Sequence, residues 1–409
     1  MALSCRFCAA PLDRLILDLG LSPLANSYLR PEDLGRPETF YPLAVHLCER
    51  CWLVQLPAAE SAEAIFSDYA YFSSYSESWL AHAERFAGAA TERFGLGAGS
   101  KVVEVASNDG YLLRFFHARG IPVLGIEPAA NVAEHARGLG IRTLSRFFGR
   151  AFAEELVAQG EAADLLVGNN VLAHVPDLND FVAGLAHLLK PTGVLSMEFP
   201  HLLRLLAENQ FDTIYHEHFS YFSFTVARRV FAAHGLVVFD VEELATHGGS
   251  LRVFASRPEA GRGESERVRE LLAREEAAGL ETAGAYQGFA AAAGRVKRGL
   301  LRFLLDAADA GETVAAYGAP AKGNTLLNFC GIRPDLLPYT VDLSPHKQGH
   351  YLPGTRIPIH APDQLRATRP NYVLILPWNL KEEIARQMAD VRGWGGRFVV
   401  PIPEVTVLP

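Results

Sequence analysis

Residues 101–116 read K-V-V-E-V-A-S-N-D-G-Y-L-L-R-F-F, and this stretch decides the fold of the central part of the chain. The apolar run at 102–106 indicates a buried strand, S-N-D-G at 107–110 a turn, and the residues after it a helix. Further apolar runs alternate with helical stretches, at 123–128, 164–170 and 193–199. Strands that alternate with helices predict an α/β fold with a doubly wound parallel sheet.

Polar residues follow these strands at their carboxyl ends, where ligands bind in open α/β sheets. Glu127 lies about 20 residues beyond the first turn, at a place where an acidic residue can accept hydrogen bonds from ribose hydroxyls. The alternative is that carboxylates such as Glu104 are capping or solvated groups. The candidate cofactor-binding residues are Glu104, Ser107, Asn108, Asp109, Gly110, Glu127, Asn169 and Asn170.

The loop at 106–110 helps to select the class of cofactor. A dinucleotide requires G-x-G-x-x-G, so that the backbone can approach the pyrophosphate. This loop reads A-S-N-D-G and has one glycine, so a pyrophosphate has no obvious seat. S-adenosylmethionine carries a ribose and a sulfonium but no phosphate, and an acidic loop suits it better. The sequence therefore favours S-adenosylmethionine over NAD.

Four of the five cysteines form two C-x-x-C pairs, Cys5 with Cys8 and Cys48 with Cys51. Two such turns supply a tetrahedral four-thiolate site, which is the geometry of structural Zn²⁺. Because protein then fills every coordination position, we expect the metal to hold the fold rather than to act on substrate. Disulfides or buried thiols are the alternatives. Disulfides are disfavoured because no signal peptide precedes Cys5 and the rest of the chain is almost free of cysteine.

Composition limits the class of protein. A chain of 409 residues predicts two to four domains. No apolar run approaches the length of a membrane span, so we expect a soluble, cytoplasmic protein without membrane contact. The net charge of −8 disfavours nucleic acid as a partner, because nucleic-acid binding requires a basic face.

The candidate catalytic segment is F-D-T-I-Y-H-E-H-F-S-Y-F-S-F at 211–224. Tyr215, His216, Glu217 and His218 stand here among aromatic residues, and titratable groups in apolar surroundings suit acid–base chemistry. A second metal site is less favoured, because adjacent H-E-H lacks the i, i+4 spacing of helical ligands. A buried hydrogen-bonded role stays open for each histidine.

Other candidates lie outside this segment. His174 follows the strand that ends at Asn170, and T-H-G-G-S-L-R at 246–252 reads as a hairpin turn that presents His247 and Arg252. Each has an ordinary alternative as a turn, packing or solvated residue. Tyr71 stands in a run of phenols and hydroxyls that joins the first two domains. In the C-terminal third, Y-G-A-P-A-K-G-N-T at 317–325 predicts a second nucleotide-binding half, with Lys322 and Asn324 facing an anionic group.

Taken together, these motifs resemble the S-adenosylmethionine-dependent C-methyltransferases that act on nucleotide-linked keto-deoxysugars. The resemblance spans nearly the whole length. It rests on the paired C-x-x-C knuckles, E-V-A-S-N-D-G, G-I-E-P, Y-H-E-H-F-S-Y-F-S, H-G-G-S-L-R and Y-G-A-P-A-K-G-N-T-L-L-N-F-C-G-I. It implies a zinc-binding domain at 1–72, a class I methyltransferase core at 73–258 and a Rossmann-like C-terminal domain at 259–409.

The resemblance also implies a reaction. A methyl group would move from S-adenosylmethionine to C3 of a TDP-linked 4-keto-deoxysugar through an enolate. His218 is the expected base, Tyr215 an orienting donor or alternative base, Glu217 a polarising group and His174 a donor to the enolate oxygen. Substrate would contact Tyr71, His247, Arg252, Asn324 and, through its diphosphate, Lys322. We expect a monomer or weak dimer.

Two other functions are compatible with parts of the pattern. One is a zinc-ribbon binding protein, or a methyltransferase that acts on RNA or another non-sugar acceptor. The other is an NAD-dependent sugar-nucleotide enzyme that uses the C-terminal half. The acidic net charge counts against the first and the glycine-poor loops count against the second.

Overall fold

The computed structural model describes residues 3–61, 63, 65 and 72–408. Near the N-terminus, β1 (Arg14–Ser22), β2 (Tyr41–Leu47) and β3 (Val54–Gln55) form an antiparallel meander. A strand from the middle of the chain, β9 (Ser220–Tyr221), completes this sheet in the order β1-β2-β3-β9. The N-terminal sheet is therefore built in part by the segment that follows Y-H-E-H.

The central sheet is the predicted doubly wound one. Its strands are β4 (Val102–Val105), β5 (Val123–Ile126), β6 (Thr143–Leu144), β7 (Ala163–Asn169), β8 (Leu189–Pro200), β10 (Val237–Leu244) and β11 (Ser250–Ser256). They lie in the order β10-β11-β8-β7-β4-β5-β6. The strands from β4 to β8 pair in parallel, whereas β11 pairs antiparallel with both β8 and β10. This reversed strand beside the parallel set is the topology of a class I methyltransferase.

Helices cover this sheet. They are α1 (Glu77–Phe94), α2 (Leu113–His117), α3 (Ala130–Gly138), α4 (Arg150–Ala158), α5 (Leu178–Leu188), α6 (Leu202–Ala207), α7 (Phe224–Ala233) and α8 (Glu266–Ala277). Ser76 and Ser223 cap α1 and α7 through side-chain hydrogen bonds to backbone N–H groups. None of the helices in the described ranges is long and apolar enough to cross a bilayer.

A second sheet forms the C-terminal part. It contains β12 (Val314–Tyr317), β13 (Thr340–Val341), β14 (Ile359–His360), β15 (Tyr372–Ile375), β16 (Arg397–Val400) and β17 (Thr406–Val407), in the order β14-β13-β12-β15-β16-β17. Its strands pair in parallel except for the edge strand β17, which pairs antiparallel with β16. Its helices are α9 (Phe289–Asp309), α10 (Ala321–Cys330), α11 (Asp363–Thr368) and α12 (Lys381–Gln387). The strand order on both sides of β12 is that of a Rossmann-like sheet, as the strand–turn–helix pattern predicts.

The hydrophobic cores connect these parts. Leu17 and Val45 of the N-terminal sheet are buried in one cluster with Leu300 and Val314 of the C-terminal part. Leu53, beside the second cysteine pair, is buried with residues of the central sheet. The N-terminal module therefore packs against both larger parts, and it buries its apolar residues there rather than in a separate core.

Candidate active site and zinc centre

The two cysteine pairs converge on one point. Cys5 Sγ lies 3.5 Å from Cys51 Sγ, and Cys8 Sγ lies 3.5 Å from Cys48 Sγ. All four sulfur atoms lie within 4.8 Å of one another. Four thiolates bound to a tetrahedral Zn²⁺ at about 2.3 Å are about 3.8 Å apart, so the cluster fits the ion. The donor set of four sulfurs is that of a closed structural site.

The two knuckles have the same backbone conformation, which explains why both pairs present their sulfurs alike. Ala9 N–H donates to Cys5 O at 2.9 Å, and Trp52 N–H donates to Cys48 O at 2.8 Å. Ala9 and Trp52 both have positive φ, at 58° and 67°. In each knuckle the backbone thus folds back after the second cysteine and directs both thiols inward.

The zinc module is joined to the Y-H-E-H segment. Gln55 donates through Nε2 to Cys5 Sγ at 3.1 Å, and its backbone pairs with Ser220 in the β3–β9 ladder. The Arg6 guanidinium lies 5.3 Å from the centre of the Phe219 ring. The metal centre therefore supports the segment that carries Tyr215 and His218.

The loop after β4 adopts a conformation that only certain residues tolerate. Asn108 and Gly110 have φ of 49° and 79°. Glycine is favoured at position 110 because its φ is positive, and a Cβ there would also displace Ile141 Cδ1, which lies 2.6 Å away. The loop approaches the strand ends closely, where a cofactor can contact its backbone.

Glu127 lies beside this loop at the end of β5. Its carboxylate is only 5% exposed and accepts hydrogen bonds from the N–H groups of Asn108 and Ala129, both at 2.9 Å. Burial raises the pKa of Glu127 to about 7, and the two hydrogen bonds partly offset this effect. A carboxylate fixed at this strand end fits the ribose of S-adenosylmethionine.

The remaining candidate cofactor residues lie in β4, in the loop after it or at the carboxyl end of β7. Asn169 donates through Nδ2 to Tyr111 Oη at 3.1 Å, and its Oδ1 is buried without a hydrogen-bond partner in the described part of the chain. Asn170, with φ of 54°, directly follows β7. Glu104 is buried within β4, and desolvation raises its pKa well above the usual range. Ser107 and Asp109 lie in the loop.

We predict that Glu127→Ala weakens S-adenosylhomocysteine binding by about 1.5–3 kcal/mol, the range for hydrogen bonds to a charged group. Isothermal titration calorimetry measures this directly. Glu134→Ala is a suitable control, because Glu134 lies on α3 in a solvent-exposed pair with Arg137. Equal affinity of wild type and Glu127→Ala would contradict the assignment.

The raised pKa of Glu127 gives a second prediction, on how the affinity for S-adenosylhomocysteine depends on pH. The protonated carboxyl offers fewer acceptors to a ribose diol, so S-adenosylhomocysteine affinity is expected to increase as pH rises from about 6 to 8, through the pKa of about 7. In Glu127→Gln the increase should disappear. A wild-type affinity that is flat over this interval would show that Glu127 does not titrate against the ligand.

The run of phenols and hydroxyls that joins the first two domains continues over Ser73 and Ser74, which contact the cofactor loop. Ser73 N–H donates to Asn108 Oδ1 at 2.9 Å, and Ser74 donates to Asp109 Oδ2 from its backbone at 3.0 Å and from its hydroxyl at 2.5 Å. The hydroxyl-rich composition of this region was the available signal. Tyr71, predicted to contact substrate, lies outside the described residues.

Tyr215 and His218 form a hydrogen-bonded pair. Tyr215 Oη lies 2.8 Å from His218 Nε2, and His218 Nδ1 lies 2.8 Å from the carbonyl oxygen of Thr213. Since a carbonyl can only accept, Nδ1 carries the proton and Nε2 accepts from the phenol. His218 is 9% exposed, and burial lowers its pKa well below the usual range. Its imidazole is therefore a neutral acceptor held behind a more exposed tyrosine.

Two further histidines lie close to this pair. The rings of His174 and His218 meet edge to face, with centroids 4.6 Å apart. His247 Nε2 lies 3.0 Å from Asn170 Nδ2, which places His247 beside the cofactor crevice. Burial lowers the pKa of His174 and of His247 to about 4, so both are neutral at pH 7. The structure thus brings together the predicted histidines and the end of β7.

The other two members of Y-H-E-H face the N-terminal module. His216 Nε2 lies 3.1 Å from Pro42 O, and its ring contacts Tyr41 edge to face. Glu217 accepts from Asn26 Nδ2 at 2.6 Å. These contacts fix the segment against the first sheet, and the polarising role predicted for Glu217 stays a prediction.

Three residues predicted to contact substrate already have hydrogen-bond partners within the protein. Arg252 is buried and donates to Glu198 at 2.7 Å and to Glu242 at 3.3 Å, so its charge is already paired. Asn324 donates to the carbonyl of Ala25 at 2.5 Å and joins the C-terminal part to the N-terminal module. Lys322 is partly buried and donates to Asn379 Oδ1 at 2.8 Å. Their roles toward substrate remain predictions.

Comparison with known proteins decides the family. Family models match at residues 5–66 (zinc binding domain), 79–241 (methyltransferase domain) and 245–403 (C-methyltransferase C-terminal domain). The chain is 38% identical over 404 residues to the C-methyltransferase NovU of Streptomyces niveus. The matched region covers 99% of this chain and 96% of that protein. The chain belongs to this C-methyltransferase family.

More distant similarities are confined to part of the chain. A ubiquinone biosynthesis O-methyltransferase of Bartonella bacilliformis is 29% identical over 99 residues, 24% of this chain and 40% of that protein. The magnesium protoporphyrin IX methyltransferase of Synechocystis, a solved structure, is 15% identical over 44% of this chain and 83% of that chain, with a TM-score of 0.36. Neither adds to the family assignment.

Membership of the C-methyltransferases confirms several predictions. The chain is an S-adenosylmethionine-dependent C-methyltransferase, with the predicted zinc module, class I sheet and further C-terminal domain. Its cofactors are S-adenosylmethionine and a structural Zn²⁺ in the four-cysteine cluster. The domain limits at 72 and 258 and the roles of the individual site residues stay predictions.

Proposed function

We propose that this C-methyltransferase transfers a methyl group to C3 of a TDP-linked 4-keto-deoxysugar through an enolate. The observation that carries the proposal is the Tyr215–His218 pair with its tautomer fixed by Thr213. Methylation at carbon needs a base that removes a proton from a weak carbon acid. The Tyr215–His218 pair can act as such a base, and it lies near the strand ends that carry the candidate cofactor residues. The motifs shared with C-methyltransferases of keto-deoxysugar nucleotides support this substrate class.

The geometry favours Tyr215 as the group that meets the substrate, with His218 behind it. This reverses the expected order, in which His218 is the base and Tyr215 its partner. His218 Nε2 is occupied by the phenol, and its ring is enclosed by Tyr215, His174 and Tyr221. As the C3–H bond breaks, Tyr215 Oη accepts that proton and passes its own to His218 Nε2.

The other residues stabilise and position the substrate. His174 is the candidate donor to the C4 oxygen as negative charge develops there. Its neutral imidazole has one N–H, which bonds the Glu217 backbone, so donation to substrate requires that this bond be exchanged. When bound, S-adenosylmethionine supplies an electrophilic methyl group, and the enolate carbon must lie in line with it. Asn169, Asn170 and Glu127 hold the cofactor at the strand ends, and the C-terminal domain holds the nucleotide diphosphate.

Turnover with defined acceptors tests this function. The enzyme with S-adenosylmethionine should add one methyl group to a TDP-linked 4-keto-deoxysugar, as measured by mass spectrometry. The 4-hydroxy sugar nucleotide is the matched control, because it lacks the acidified C3–H. Methylation of the 4-hydroxy sugar, or of RNA in place of the keto sugar, would overturn the proposal.

A further inference from the structure

Asp212, Trp378 and Lys322 form a group across the boundary between the central and C-terminal sheets, here called the tryptophan bridge. Asp212 is 0% exposed and accepts from Trp378 Nε1 at 2.6 Å. Lys322 Nζ lies 4.6 Å from the centre of the Trp378 ring and donates to Asn379 at 2.8 Å. A carboxylate and an ammonium group thus contact one indole from different sides.

The tryptophan bridge touches both segments that carry the buried histidines. Asp212 precedes Thr213, whose carbonyl accepts from His218. Trp378 packs closely against the turn after His247. A Cβ built at Gly248 would lie only 2.6 Å from the Trp378 ring. Burial is the largest cause of the lowered pKa of His247 and of His218, and the charge of Lys322 acts on both in the same direction, so its amino group lies close enough to affect them.

We propose that Lys322 supplies a fixed positive charge to the Tyr215–His218 pair and that Asp212 is the positioning residue that keeps Lys322 charged and in place. The inference rests on the proposed carbanion chemistry. A nearby ammonium group stabilises the negative charge that develops on the enolate oxygen and on the Tyr215 oxygen as the C3 proton moves. The C-terminal domain then contributes to the chemistry as well as to substrate binding.

Charge and burial favour this role over the predicted contact with a diphosphate. Asp212 Oδ1 is buried without a hydrogen-bond partner among the residues described, and Asp212 and Lys322 contact the same indole. The charge of this carboxylate acts on Lys322 and would repel a diphosphate bound there. Burial lowers the pKa of Lys322, and the charge of Asp212 raises it. Burial raises the pKa of Asp212 to about 6, and the charge of Lys322 lowers it. Each group thus favours the charged form of the other.

The test uses full-length Lys322→Met, Lys322→Arg and Asp212→Asn, each checked for a normal melting temperature. NMR titration of the histidines in the free enzyme measures the effect of charge without any substrate. The titratable and charged groups that face these histidines are Tyr215, His174, Lys322, Asp212, Glu198 and His82. Lys322→Met should raise the pKa values of His218 and His247 by about one pH unit, and Lys322→Arg should not.

Kinetics give the second readout. Lys322→Met should lower kcat by about 10²-fold and leave TDP affinity within about twofold. Asp212→Asn should lose activity increasingly above pH 7, because Lys322 without its carboxylate releases its proton at lower pH. The Lys322→Met loss should show no such trend.

Two results would overturn the inference. One is histidine pKa values that do not change in Lys322→Met. The other is TDP affinity that falls tenfold or more while kcat is retained, which would assign Lys322 to the diphosphate. If wild type fails to methylate any keto sugar, the proposed substrate is wrong, and the histidine titration still decides whether Lys322 supplies charge to the cluster.

Discussion

Tyr215→Phe is expected to lower kcat for methyl transfer by about 10²–10⁴-fold, which is the usual contribution of a general base. Phenylalanine keeps the ring contact with His218, at 4.0 Å between centroids, and removes only the hydroxyl. Substrate and cofactor affinities should change little, because the lost interaction belongs to the transition state. Rapid-quench kinetics with calorimetric binding separates the two effects.

His218→Asn tests the other half of the pair, and its loss should be smaller than that of Tyr215→Phe if the tyrosine meets the substrate. His216→Gln is the matched control, since His216 bonds Pro42 and packs on Tyr41 rather than on His218. A Tyr215→Phe enzyme with normal turnover beside an inactive His218→Asn enzyme would make His218 the base.

Cys48→Ser is expected to destabilise the N-terminal module by more than about 4 kcal/mol, because large losses are typical of a broken metal site. Serine is a poor ligand for zinc, and Cys48 is fully buried beside Leu53. The first thermal transition should move to lower temperature and the zinc content should fall below one per chain. Differential scanning calorimetry and metal analysis measure these effects.

The structure adds a consequence for activity. Since β3 pairs with β9, loosening the module should also disorder the Tyr215–His218 segment and reduce turnover. Cys330→Ala is the control, because Cys330 is a buried core residue on α10, away from the cluster. A Cys48→Ser protein that retains zinc and the wild-type melting profile would exclude the structural role.

Local patterns predicted much of the fold. The run at 102–116 encodes β4, a turn with positive φ and the start of α2, because each step depends on adjacent residues. The place of Glu127 at a strand end was predictable because parallel strands place their ends along one edge of the sheet, and its role toward the cofactor stays a prediction. The cysteine pairs carry their geometry in their spacing, so convergence within 4.8 Å followed from two similar turns.

Contacts between segments that are distant in the chain could not be predicted from the sequence. The bond from Trp378 to Asp212 joins residues 166 apart, and although Asp212 lies in the candidate catalytic segment, nothing in either local pattern indicates that they meet. Nothing local showed that β9 would extend the N-terminal sheet. The proposal that Tyr215 meets the substrate and His218 lies behind it depends on the hydrogen bond from His218 to Thr213 and on burial of His218 by the surrounding rings. These contacts arise only when the domains pack.

The most direct test of carbon methylation follows the proton and the methyl group together. A TDP-linked 4-keto-deoxysugar deuterated at C3 is incubated with enzyme and S-adenosylmethionine that carries a ¹³C-methyl group. The account predicts a product in which the ¹³C-methyl is bonded to C3 and the deuterium has been lost, as seen by NMR and mass spectrometry. A ¹³C-methyl bonded to oxygen, or a methylated product that retains its C3 deuterium, would contradict it.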